Sequence, residues 1–208
     1  MSAATQKIQD KILKIALKDI PFDGLEWHVI EAAAQKAGYD ADVAASVFPD
    51  KITDFLRYFA HWADDKMLES LESASQEELK IRERISLAVW TRLEVLNKHK
   101  EVVRLSAKYW VNPMHKPVGA KIIWRTADVI WHWAGDTATD YNKYTKRGLL
   151  SGVITATTLF WLNDKSDDHI KTRNFLDKRI ENVLFFGRYA GKFVGKVKGL
   201  FSPNRGTV

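Results

Sequence analysis

Apolar residues recur every three or four positions along most of this chain, the spacing that places them on one face of an α-helix. Ile8, Ile12, Ile15, Leu17 and Ile20 form such a stripe, and Pro21 is expected to end that first helix. A second helix is predicted over 27–37, closed by Gly38 in the position where helices reverse. A short third, over 42–48, stops at Pro49, and a fourth starts near Lys51 and runs through Phe55, Phe59, Trp62 and Met67. Ser75 with Glu78 has the spacing of a capping box for a fifth helix over 76–97. A sixth is predicted over 101–109, after which Pro113 and Pro117 break the chain. Helices over 118–133 and 140–162 follow, the first ended by Gly135, and a last one begins near Asp167. No alternating run of β-branched residues bounded by hairpin turns occurs, so the expected fold class is all-α.

The first three helices have a particular order. A helix is followed by helix, Ala37-Gly38 turn, short helix, Val47-Phe48-Pro49, and then a long helix. That order resembles the helix-turn-helix unit of TetR-type proteins, whose larger helical body binds ligand and dimerises. Three regions are expected: a helix-turn-helix-like unit over 1–65, a ligand-binding and dimerisation body over 66–170, and a basic amphipathic tail over 171–208. The chemistry of the short helix disagrees with reading DNA. No basic residue lies between Lys36 and Lys51, while Asp40, Asp42 and Asp50 are acidic. Such a surface meets phosphates with the wrong sign, so no nucleic-acid partner is expected. A TetR-like regulator with an apolar effector is the alternative function.

Charge separates the tail from the rest. From Lys171 onward there are nine Lys and Arg against two acids, Asp177 and Glu181, so +7 of charge lies there and −1 on the remainder of a +6 chain. Wound as a helix from Asn182, the tail puts Phe186, Phe193, Val197, Leu200 and Phe201 on one side. Arg188, Lys192 and Lys196 stack on the other. Glycines at 187, 191, 195 and 199 each cost such a helix roughly 0.8–1 kcal/mol relative to alanine. A bilayer interface offsets that cost by burying the apolar face and pairing the cations with anionic lipid. Membrane binding is therefore expected at these eight residues. No run approaches the length of a spanning helix. Residues 1–10 carry neither a signal-peptide core nor an arginine-rich transit pattern. The expected location is cytoplasmic, peripheral on the inner face of a bacterial inner membrane.

The chain is 208 residues with 46% hydrophobic and 28% charged residues, enough to bury a core. It has no cysteine, which removes disulfides, thiolate nucleophiles and thiolate metal sites. Asp128, His132 and Asp136 are spaced to share a helix face, but Gly135 is expected to end the helix between the last two. No metal site is expected. The residues three before the six histidines are Leu25, Tyr58, Leu96, Asn112, Val129 and Ser166, so the Glu-x-x-His pattern of di-iron bundles is missing. No phosphate loop, dinucleotide fingerprint or nucleophile elbow occurs either, and no catalytic residue is assigned.

Residues 131–147 hold the densest group of unusual side chains. Trp131-His132-Trp133-Ala134-Gly135-Asp136, Thr139-Asp140-Tyr141-Asn142 and Tyr144-Thr145-Lys146-Arg147 closely resemble the hallmark of the Coq-nine family of ubiquinone-biosynthesis accessory proteins. Leu149, Thr157-Thr158, Leu162, Asp164 and Ser166 continue the likeness. The resemblance implies a TetR-like homodimer with a deep apolar pocket for isoprenoid or quinone lipids and an amphipathic membrane helix at the C-terminus. It implies no catalytic role of its own. It also implies binding to the di-iron demethoxyubiquinone hydroxylase, through a patch that falls here on Trp131, His132 and Trp133. The family often has tyrosine where this chain has His132.

Overall fold

In a computed structural model, residues 2–74, 78–136 and 141–182 are described, and every regular element among them is helical. The order is α1 (Ala3–Asp23), α2 (Trp27–Lys36), α3 (Ala41–Val47), α4 (Lys51–Leu71), α5 (Ile81–Asn97), α6 (Lys100–Val111), α7 (Lys116–Trp133) and α8 (Tyr141–Asn163). A 3₁₀ turn at Asp167–His169 leads into α9, over 170–182. Among the described residues no helix is long and apolar enough to cross a membrane.

Helix boundaries follow local chemistry, with two departures from expectation. Pro21 does not stop α1 but lies inside its last turn. A proline there forfeits only one bond near an end, and Gly24 closes the helix by donating its N–H to Ile20 at 2.9 Å with φ +85°. Helix α5 begins at Ile81, later than expected, and its entry is fixed by Glu83, whose carboxylate accepts the Lys80 backbone N–H at 2.8 Å. Glu78 lies in the turn before it, and Ser75 is outside the described residues. Gly38 closes α2 as the pattern predicts. Its φ is +86°, and Tyr39 N–H reaches back to the Ala34 carbonyl at 3.0 Å.

Two apolar cores lie along one helix. The first joins α1, α2 and α3 to Phe55, Leu56, Phe59 and Ala63 of α4, and takes Leu96, Val102 and Trp161 from later helices. The second joins Met67 and Leu71 of α4 to Val89, Ile130, Trp131, Ile154 and Leu176. The expected boundary at residue 65 therefore falls inside a continuous helix that serves both cores. The one at 170 falls at the start of α9, whose Leu176 and Ile180 are core residues.

Between the cores, Asp64 is fully buried. Its carboxylate accepts from Arg92 Nε of α5 at 2.8 Å, Arg125 of α7 at 2.7 Å and the Thr126 hydroxyl at 3.0 Å. A second buried carboxylate, Asp164, docks α9. It accepts the Thr172 N–H at 2.9 Å and hydroxyl at 2.6 Å, and the Ser166 N–H and hydroxyl at 2.9 and 2.7 Å. Burial alone pushes this carboxyl up. The hydrogen bonds from Ser166 and Thr172 outweigh it and hold the group well below the usual carboxylate range.

Replacing Asp64 by alanine strands Arg92 in the interior, and urea unfolding is expected to show a loss of about 3–5 kcal/mol. A group with a depressed folded pKa stabilises the fold fully above its unfolded value of about 3.9 and loses that contribution as pH falls below it. Hydrogen exchange at the Thr172 amide is accordingly expected to accelerate, relative to other core amides, as pH drops through that window. Asp164→Asn should exchange fast on both sides of it.

Candidate functional site

Helices α6, α7 and α8, with one turn each of α4 and α5, line a cavity of about 780 Å³. Its inner wall is buried: Leu56 and Phe59 of α4, Arg92 and Leu96 of α5, Val103 of α6, and Gly119 and Ile122 of α7. Its rim is exposed and carries Val111, Lys116, Ala120, Trp124, Gly152, Thr155 and Leu159. Leu56 with Phe59, and Arg92 with Leu96, are helical neighbours one turn apart, so each helix presents one stripe to the space.

Small side chains make the room. Helix α8 lines the cavity with Ser151, Gly152, Thr155, Ala156, Thr158 and Leu159, while its Val153, Ile154, Thr157 and Trp161 are buried in the cores. A Cβ added to Gly152 would meet nothing within 4 Å. Gly119 has the opposite setting. A Cβ there would lie 3.2 Å from the Trp110 ring, so α6 and α7 approach closely only because it is glycine. The uncharged run 148–162 has the composition of either a pocket wall or a dimer core, and within this chain one side of α8 lines the cavity. No lining residue was assigned from sequence. The available signal was the spacing of Ser, Gly, Thr and Ala along that run, which also fits close helix packing.

The 131–147 corner is held by ion pairs. Gly135, at φ +91°, ends α7 and turns the chain so that Asp136 N–H bonds back to the Trp131 carbonyl at 3.0 Å. Asp136 then receives Arg147 at 3.0 Å and Lys146 at 2.7 Å. Arg147 also binds Asp128. Burial works against the Arg147 charge, but the hydrogen bonds and charges of Asp128 and Asp136 overcome it and raise its pKa above the ordinary arginine value. The two acids thus hold a guanidinium. Among the described residues no group of three His, Asp or Glu is placed to hold a metal ion.

The corner sorts the three residues assigned to partner binding. Trp131 is buried, donates its indole N–H to the Lys146 carbonyl at 3.0 Å, and has the Lys146 ammonium over its ring at 5.3 Å. Its side chain is therefore core rather than surface. Trp133 is half-buried and His132 is exposed. The membrane face assigned to Phe186, Arg188, Lys192, Phe193, Lys196, Val197, Leu200 and Phe201 lies outside the described residues.

An all-helical chain with a helix-turn-helix-like start and an apolar cavity in its body defines a TetR-like fold. A TetR transcriptional regulator from Nitrosomonas europaea ATCC 19718 superposes with a TM-score of 0.67, at 20% identity, over 86% of this chain and 99% of that one. Residues 116–187 match the family model described as COQ9. The chain is 30% identical over 192 residues to the ubiquinone biosynthesis protein COQ9, mitochondrial, of Rattus norvegicus, covering 89% of this chain and 61% of that protein. Its counterparts from Bos taurus and Homo sapiens are 29% and 28% identical, again over 89% of this chain and 60% of theirs. The chain is thus similar to COQ9 proteins along most of its length, and the 131–147 run lies inside the segment that matches their family model. The chain spans about three-fifths of the length of these relatives.

Arg147→Met takes from the buried Asp136 carboxylate one of the cations that hold it. The expected cost is about 3 kcal/mol in chemical unfolding. The Trp131 indole N–H, assigned by its disappearance in Trp131→Phe, should also lose protection from hydrogen exchange.

Proposed function

We propose that this chain is a non-catalytic accessory protein of ubiquinone biosynthesis that takes a polyprenyl quinone precursor from the membrane and presents it to the demethoxyubiquinone hydroxylase. The apolar cavity carries this reading. Its volume lies within the roughly 300–1,000 Å³ of small-molecule sites, and most of the surface it presents is apolar. The relatives named for ubiquinone biosynthesis support the pathway. The basic, acid-free sequence after Glu181 supports attachment to an anionic bilayer at the inner face of a bacterial inner membrane. The exposed His132, with half-buried Trp133 beside it, is where the hydroxylase would meet the 131–147 corner, and the working form is a homodimer.

Lipid presentation asks the protein to shelter an apolar chain from water and release it at a bilayer, and no bond of the lipid need change. The regulator reading has weaker support. Helix α3 carries Asp42 and no cation, and its Ala44 and Val47 are packed into the first core. A recognition helix needs the reverse arrangement.

Native protein, purified without detergent and extracted with organic solvent, is expected to yield an isoprenoid or quinone lipid by mass spectrometry. Gly152→Leu sets a side chain across the cavity rim, where an added Cβ meets nothing within 4 Å, and gains helix propensity, so it should keep or raise the melting temperature while cutting recovered lipid about tenfold. A lipid-free extract from the native protein, or undiminished lipid in Gly152→Leu, would sink the proposal.

A further inference from the structure

Among the buried residues that line the cavity, Arg92 is the one polar side chain. Only 9% of the Arg92 side chain is exposed. Its Nε is committed to Asp64. Among the described residues neither of its other two guanidinium nitrogens has a hydrogen-bond partner, yet neither is sealed away from all solvent-sized space. Asp64 supplies one negative charge to two guanidiniums, Arg92 and Arg125. Arg125 is 40% exposed and partly screened by water, whereas Arg92 is not.

Donors of this kind change what the cavity prefers. A hydrocarbon filling the inner end would cover them without satisfying them, at the cost of desolvated donors. An acceptor oxygen there forms charge-assisted bonds in a water-poor setting. A site built to bond a polar group discriminates strongly against the analogue lacking it. The opposite end of the cavity favours a chain, since Val111, Trp124 and Leu159 are exposed apolar rim residues.

We propose, resting on the reading of the cavity as a lipid site, that it binds a single-chain amphiphile head first, with the head's acceptor oxygens on the free donors of Arg92 and the chain leaving over Trp124 and Leu159. The shared head chemistry is an oxygen acceptor, either on a quinoid or phenolic ring or as a carboxylate. The Asp64 carboxylate stays paired with Arg92 Nε in both cases, so the ligand adds to the ion cluster and displaces none of it.

The test titrates the delipidated full chain calorimetrically with decylubiquinone, laurate and decylbenzene, the last having a ring and chain but no oxygen. Arg92→Lys keeps a cation for Asp64 and loses the paired free donors. It is expected to weaken decylubiquinone, laurate or both by about tenfold and decylbenzene by less than about twofold. Loss confined to decylubiquinone assigns a ring-oxygen head, and loss confined to laurate assigns a carboxylate; either supports the proposal. Equal effects on all three overturn head-first binding and leave the cavity reading standing. If the wild-type chain binds none of the three, the cavity reading falls and this inference with it. Photo-crosslinking of the wild-type chain decides the point should Arg92→Lys not fold. A diazirine beside the head should label Leu96 or Leu56 and one at the chain end should label Val111, Trp124 or Leu159; the reverse pattern overturns the proposal.

Discussion

A carboxylate removed from water is tolerated only when its charge and lone pairs are met by the surrounding protein, and Asp64 meets that condition through two guanidiniums and a hydroxyl. Those partners belong to α5 and α7, while Asp64 itself sits on α4 between Ala63 of the first core and Met67 of the second. One side chain thus sets the azimuth of three helices at the waist of the molecule. Apolar packing alone constrains such rotations weakly, because hydrophobic contact is not directional. The geometry of a multiply bonded carboxylate is directional, and it fixes which faces of α5 and α7 look onto the cavity.

The same waist explains why the two cores do not behave as separate domains. Helix α4 is continuous across them, and Trp161 and Leu162 at the end of α8 pack with the helix-turn-helix-like unit. A change in the cavity wall is therefore mechanically connected to α1–α3. The TetR-like architecture is kept without a basic reading surface on α3. Here the N-terminal unit is a packing platform for the body.

The 131–147 corner shows a second use of buried charge. Asp128 and Asp136 flank a glycine turn, and in a bare sequence they read as a carboxylate pair with His132 between them. In the fold both converge on Arg147, and Trp131 is sealed beneath Lys146. Several distinctive residues of this segment build the shape of the corner, while His132 and Tyr144 are exposed and Trp133 is half-buried. Arg84 from α5 adds to the same shape by donating to the Ala134 carbonyl at 3.1 Å, which satisfies the end of α7.

Helix number, order and most boundaries were legible in the sequence, because helical periodicity, Gly38, Gly135 and Pro49 act locally and need no tertiary partner. The all-α class, the TetR-like order and the family resemblance followed from those signals and from the 131–147 run. Pro21 and the start of α5 were misread because each depends on which end of a helix a residue occupies, and neighbours decide that. The cavity was not legible. Ser151, Gly152 and Thr155 have the same spacing whether a helix packs tightly or leaves room, and only the positions of α4, α6 and α7 turned that spacing into empty space. Nor was it legible that Asp64 would bind Arg92 and Arg125, or that Arg147 would bind Asp128 and Asp136. Sequence determines which charges exist and on which helix face they lie. Which charges meet is decided by long-range packing, since burying them is favourable only after the chain has brought their partners within hydrogen-bonding distance.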